Sequence, residues 1–453
     1  MRIFPPAIEI GDLEGFSSEK DIFKRAEFGA GLANILKVSE DPLVVVLDGP
    51  WGSGKTTFIR MLAGLLRRGN HPTIYFDAFA NDYAEDAFIA IAGEVVKISK
   101  EYKKTNTKAY KRFLDKAANT GRAVIGGGLK IGLKAATLGV IDAADIEELS
   151  AVAKDIADEV GTKTDAYIKA LLIRHADAQK SVESVRAALS ELVMSLPESP
   201  DSPSKENPPQ LIFIIDELDR CKPTFALEII EKIKHIFSVP GIHFLIVTHL
   251  KQLENSVRYS YGADIDSQTY LQKFYNLIVH LPGDGTHEHE SIAARYFAYL
   301  KPRLNHDEGA LNFIATVGQA RNLTLRPIEK MAVYASLGIA FTTSSKMEWF
   351  RAPPILGGLC ALKVLDPDLF QKAKSGTLTF EEAANAFRFE RWPQTSKNDW
   401  AKSWWQYALD PSIDVTSEEW RGWGRGEFRF DKRSDMVRFV AESVIDRMEI
   451  PKE

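Results

Sequence analysis

Residues 44–58 read VVVLDGPWGSGKTTF, and no other stretch restricts this chain as strongly. Gly49-Pro50-Trp51-Gly52-Ser53-Gly54-Lys55-Thr56 fits the pattern G-x-x-x-x-G-K-[ST]. Its surroundings suit the motif. Leu43 to Leu47 is an unbroken apolar run rich in valine, as a buried parallel strand requires. Thr56 to Arg68 carries Phe58, Ile59, Leu62, Leu65 and Leu66 at helical spacing. Strand, glycine loop and helix together cradle phosphate. Glycines let backbone N–H groups converge on the anion, and the helix N-terminus adds positive potential. Lys55 would reach the β- and γ-phosphates, and Thr56 would ligate Mg²⁺. Gly49 to Thr56, with Thr57 behind them, form the candidate nucleotide-binding loop.

The 453 residues are enough for two or three domains, with a hydrophobic fraction of 45% and a charged fraction of 26%, both ordinary for globular proteins. A net charge of −5 argues against a surface built to coat nucleic acid, though not against a local patch. Cys221 and Cys360, the only cysteines, supply neither a disulfide framework nor a zinc pattern, which points to a reducing cytoplasm. The N-terminal residues lack the pattern of a signal peptide. Residues 123–141 are mostly apolar but carry Lys130 and Lys134 near the centre. Each central lysine costs about 2.5–3.5 kcal/mol on insertion scales, so spanning is not expected. A Gly/Ala-rich hinge and a peripheral membrane contact remain as readings.

The pattern predicts a helix over 17–37, capped near Ser17 or Ser18, and a second strand, TIYFDAF, over 73–79. From 84 to 195 it is helical. Residues 97–134 hold nine lysines and two arginines against two acids, and residues 142–159 hold seven acids against one lysine. These arms would complement each other or present solvated faces; the basic one supports the alternative reading, a nucleic-acid motor or sensor. The segment 196–210, with five prolines, reads as a linker. Further strands are predicted in LIFIIDELDR (211–220), IHFLIVTHL (242–250) and NLIVHLP (276–282), with a helix from Pro223 to Phe237. The fold class is therefore α/β, a P-loop NTPase core with a parallel sheet flanked by helices. Its expected divisions are 1–83 and 211–284 for the core, 84–210 for a helical insertion and linker, and 285–453 for a mostly helical lid and C-terminal region.

Asp216 ends the third apolar run, where it would hold Mg²⁺ beside Thr56, and Glu217 follows as a candidate general base for water. About 160 residues separate Lys55 from Asp216, which marks the helical block as an insertion. The strings GPWGSGKTTF, IFIIDELDRCKPTFALEIIEKIKHIFSVPGIHFLIVTHLKQLENSV and YLQKFYNLIVHLP resemble the KAP family of P-loop NTPases. DIFKRAEFGAGLANIL, before the first strand, is also similar to that family. The resemblance, over roughly 15–340, implies an ATPase with an insertion between its two Walker motifs. For bacterial members it further implies association with phage exclusion and similar conflict systems.

Thr248, at the end of the fourth run, is a candidate γ-phosphate sensor through its hydroxyl, where the family often has an acid; His249 is given no chemistry. Arg220, Arg258 and Arg326 are candidates for a cation at the γ-phosphate, with Arg326 preferred. The resemblance places its helix after the core as a lid element. Phe23 and Arg25 are candidates for the nucleobase. No guanine-reading N-K-x-D motif occurs, which leaves ATP as the default. Six of eight tryptophans fall within 392–423 and suit a small aromatic core, a partner surface or a nucleic-acid contact. The expected mode of action is a nucleotide-driven switch working through a protein partner or a second copy. The helical insertion would be its output, bent at Gly126-Gly127-Gly128 and decoupled by the proline linker.

Overall fold

A computed structural model describes residues 4, 8–84, 86–101, 107–123, 163–196, 210–283, 292–304, 308–344, 352–418, 420 and 432–450. The 124–141 part of the apolar segment, its three glycines, the acidic arm, residues 197–209 and Trp423 lie outside them.

Five strands form one sheet: β1 (Val44–Asp48), β2 (Thr73–Asp77), β3 (Leu211–Asp216), β4 (Ile242–Thr248) and β5 (Leu277–His280). All neighbours pair in parallel, in the order β2-β3-β4-β1-β5. Their side chains alternate between two cores. Val45 and Leu47, with Ile212, Ile214, Leu245 and Val247, face α1 (Ala26–Val38) and α2 (Lys55–Arg68). Val44 and Val46, with Phe213 and Phe244, face the opposite layer. That layer holds α3 (Ala87–Glu101), α4 (Thr107–Ala123), α5 (Lys163–Met194) and α6 (Pro223–Lys232), which runs on as a π-turn over Ile233–Phe237. Every residue of β3 and β4 is buried, so their sequences are apolar nearly throughout rather than alternating, with His243 the one polar residue inside β4. Helices α7 (Leu250–Tyr261) and α8 (Ser267–Leu271) lead into β5.

Two boundaries differ from the sequence expectation. The first helix begins at Ala26, not near Ser17, because Lys24 adopts a left-handed backbone at φ 53°. Asp21 takes the turn, accepting the N–H groups of Arg25 and Ala26 at 2.9 and 2.8 Å. The second strand ends at Asp77, whose carboxylate accepts the Ala80 N–H at 2.8 Å and closes a short 3₁₀ turn.

The helices framing the insertion are part of the core rather than free of it. Ala109, Tyr110, Phe113 and Ala117 of α4 and Val185, Leu189 and Leu192 of α5 share one buried cluster with Phe88, Phe213 and Phe237. Arg186 donates to the carbonyls of His235 and Ser238 at 3.0 and 2.8 Å, closing the end of the π-turn. Arg112 of α4 pairs with Glu191 of α5 at 2.5 Å. Phe113→Ala should therefore destabilise the nucleotide core itself, by about 3–5 kcal/mol in urea unfolding. An arm hinged only at its ends would show no such loss.

The remaining described chain is helical: α9 (Ile292–Leu300), α10 (Glu308–Ala320), α11 (Leu325–Ser344), α12 (Pro353–Leu365), α13 (Pro367–Ser375), α14 (Phe380–Phe387), α15 (Ser396–Leu409) and α16 (Ser434–Val440). They enclose one hydrophobic core, against which Ile22 and Phe23 from the lead-in also pack. Of the clustered tryptophans, Trp392, Trp404, Trp405 and Trp420 are buried. Trp405 sits against Phe387 and donates to the Pro354 carbonyl at 3.1 Å, and Trp392, Trp404 and Trp405 belong to that core, while Trp420 stacks on Tyr407. Trp400 is 44% exposed.

Candidate nucleotide site

The loop between β1 and α2 folds as it does because of two glycines. Gly52 and Gly54 take φ of 73° and 83°, a region side chains disfavour. Gly52 also has no room: a Cβ there would lie 3.1 Å from the backbone nitrogen of Arg326. The Leu325 N–H donates to the Gly52 carbonyl at 2.9 Å, so the first turn of α11 rests on the loop. The carbonyl of Ser53 is held from behind by Arg25 at 2.9 Å, whose other arm reaches the Pro282 carbonyl at 2.8 Å. Arg25 is buried, with its guanidinium 4.9 Å from the centre of the Phe23 ring. Expected at the nucleobase, it braces the loop.

The ends of β3, β4 and β1 stand side by side and gather the remaining groups. Lys55 Nζ lies 2.5 Å from the Gly49 carbonyl and 3.1 Å from that of Pro50. Burial pushes its pKa below the usual lysine value, against the pull of Asp219, Asp216 and Asp48. Asp216 is buried and accepts hydrogen bonds from the Tyr75 hydroxyl at 2.9 Å, the Thr56 hydroxyl and the Glu217 N–H at 2.9 Å. Burial nevertheless raises its pKa. The Thr56 hydroxyl and the Asp216 carboxylate thus lie near each other, and a hydroxyl with a carboxylate is a hard-oxygen donor pair that suits Mg²⁺. Glu217 takes a left-handed backbone at φ 60°. Its carboxylate meets Arg220 at 3.0 Å, and burial raises its pKa.

Thr248 is fully buried, and its hydroxyl donates to Asp219 Oδ1 at 3.3 Å. Asp219 Oδ2 accepts the indole N–H of Trp51. His249, left without chemistry by the sequence, packs edge-on against the Trp51 ring at 5.9 Å. Arg258 lies on α7 beside Glu254 and Asn255. Behind the loop opens a cleft of about 590 Å³, lined by Thr57, Phe23, Tyr296, Tyr299, Arg326 and Glu329 among others. The Tyr296 hydroxyl donates to the Glu329 carboxylate inside it.

The fold thus brings together Lys55, Thr56, Asp216, Glu217 and Thr248, with Arg326 against Gly52. Sequence reasoning missed Asp219, Tyr75 and Glu329. Asp219 stood within the acidic motif itself, but its link to Trp51 spans 168 positions.

A phosphate loop on one strand, with an acid pair on a strand one place removed in a parallel sheet, defines a P-loop NTPase core. The sequence matches the KAP family P-loop domain over residues 25–341, more than half of its length, and the chain belongs to that family. No curated protein matches it. Among solved structures it is similar to the ORC2 protein of Aeropyrum pernix, described in ADPNP–ADP complexes, at 12% identity over 93% of this chain and 95% of that one, with a TM-score of 0.33. Among the described residues no helix is long and apolar enough to cross a membrane.

Proposed function

We propose that this chain binds ATP, hydrolyses it, and uses the cycle as a switch acting on a protein partner or a second copy of itself in the cytoplasm. The observation that carries this reading is the divergence of two adjacent acids. Asp216 is buried and held by the Tyr75 hydroxyl on the side of Thr56, while the half-buried Glu217 carboxylate pairs with Arg220 instead. A site that only held nucleotide would need the first acid and not the second. Thr56 and Asp216 would hold Mg²⁺, which when bound neutralises charge on the β- and γ-phosphates. Lys55 would bind those same oxygens. Glu217 would accept the proton of the attacking water, and a carboxylate made more basic by burial suits that task. The cleft beside Thr57 would take the base and ribose, with Phe23 and Tyr296 offering ring faces.

Arg326 stands in the first turn of α11 against Gly52 and is the preferred cation for transition-state charge in cis. Arg326→Ala should lower turnover by about 10- to 100-fold, the worth of one charge-assisted hydrogen bond, with ATP affinity little changed. The deciding experiment is phosphate release by the purified chain with Mg²⁺ and ATP, repeated with GTP and with chelator. Absence of ATP binding by calorimetry would remove the reading. The family resemblance suggests phage exclusion as the biological setting. Phage plating on bacteria expressing the parent chain or Lys55→Met tests that separately.

A further inference from the structure

One carboxylate joins three segments of the site. Asp219 accepts the indole N–H of Trp51, from the phosphate loop, and the hydroxyl of Thr248, from the end of β4. It lies on the turn after β3 and is 7% exposed. Trp51 is 42% exposed, its ring edge-on to His249, which caps the start of α7. Asp219 is also the foremost attractive charge acting on Lys55, ahead of Asp216 and Asp48. Asp219 therefore acts on the lysine of the phosphate loop while holding the indole of an exposed aromatic.

Phosphate oxygens that take Lys55 draw it from the field of Asp219 and add negative charge beside a nearly buried carboxylate. The γ-phosphate matters most, because Thr248 and the acid pair lie at the end of the sheet where it would extend. We infer that Asp219 is a positioning residue that reports a nucleoside triphosphate, and not a diphosphate, by releasing the Trp51 indole from its hydrogen bond. The exposed ring of Trp51 is then free to leave His249 and change the surface at the mouth of the site. The inference rests on the nucleotide reading above and adds to it the path by which the third phosphate is sensed.

The test uses the full chain labelled with 5-fluorotryptophan, with the Trp51 line identified by its absence from Trp51→Phe. Magnesium with AMP-PNP should move that line, and magnesium with ADP should leave it near its nucleotide-free position. Asp219→Asn, which keeps an acceptor for the indole but loses the charge, should abolish the difference between the two nucleotides. Trp51→Phe, which removes the bond that triphosphate must break, should raise the AMP-PNP over ADP affinity ratio by about tenfold, as loss of one hydrogen bond to a charged group allows. A merely structural role would lower both affinities together. The latch is overturned if the line responds equally to both nucleotides, if Asp219→Asn keeps the full difference, or if the affinity ratio in Trp51→Phe fails to rise. Calorimetry on the same samples separates two failures. Heat from both nucleotides with an unmoved line overturns the latch alone, whereas no heat from either overturns the nucleotide reading with it.

Discussion

Glu217→Gln is expected to hold ATP·Mg²⁺ about as tightly as the parent and to turn it over about 10²- to 10⁴-fold more slowly, the usual worth of a positioned general base. Glutamine has the size of glutamate and tolerates the same backbone, so the φ of 60° at this position gives no reason for the loop to shift. The contacts that would carry affinity are elsewhere: Lys55 beside the Gly49 and Pro50 carbonyls, and Thr56 on Asp216. What the variant loses is a carboxylate that burial makes more basic and that Arg220 faces at 3.0 Å. Single-turnover kinetics together with equilibrium ATP binding decide the matter. Parent-like turnover would remove Glu217 from its role, and parallel loss of binding and turnover would place it among the binding groups instead.

The sequence announced what depends on neighbours in the chain. The phosphate loop was legible because its glycines, lysine and threonine act within eight residues, between a strand and a helix with clear apolar patterns. The strands were legible for the same reason, since Leu211 to Ile215 is apolar without interruption, Ile242 to Val247 is broken only by His243, and both are buried on both faces. Strand order was not, because nothing local says that β4 separates β1 from β3. Arg25 shows a different limit. A basic residue in the lead-in suggests a ligand, but two backbone carbonyls, one of them 257 positions away, claim its guanidinium. Ser17 looked like a helix cap, yet the turn at Lys24 and the Asp21 carboxylate move the start to Ala26. The insertion was legible from the roughly 160 residues between Lys55 and Asp216, a spacing that says nothing of how its base packs. Phe113 and Leu189, which fix its base among Phe88 and Phe237, look in the sequence like any amphipathic helix residues.

Lys55→Met should weaken ATP binding by roughly 150- to 5,000-fold, the range that follows from about 3–5 kcal/mol for removing one partner of a buried charge pair. The loss reflects more than one missing attraction. Asp48, Asp216 and Asp219 all act on this lysine, and without it they face the incoming phosphates unopposed. Stability should move the other way, or not at all. Burial depresses the pKa of Lys55 below 10.5, so folding disfavours its charged form despite those three acids. That penalty is fully present at pH values below the folded pKa and vanishes once pH exceeds 10.5, where both states are neutral. At neutral pH the nucleotide-free variant should therefore unfold at the same temperature as the parent or higher, and the gain should fade as pH approaches 10.5. Thermal unfolding with and without ATP·Mg²⁺ reads both effects, since a bound ligand raises the midpoint of the parent alone. A residue maintained for the fold would behave oppositely, with stability lost in the absence of nucleotide. If Lys55→Met melts well below the parent without ATP, the lysine serves the loop's structure, and its assignment to phosphate fails.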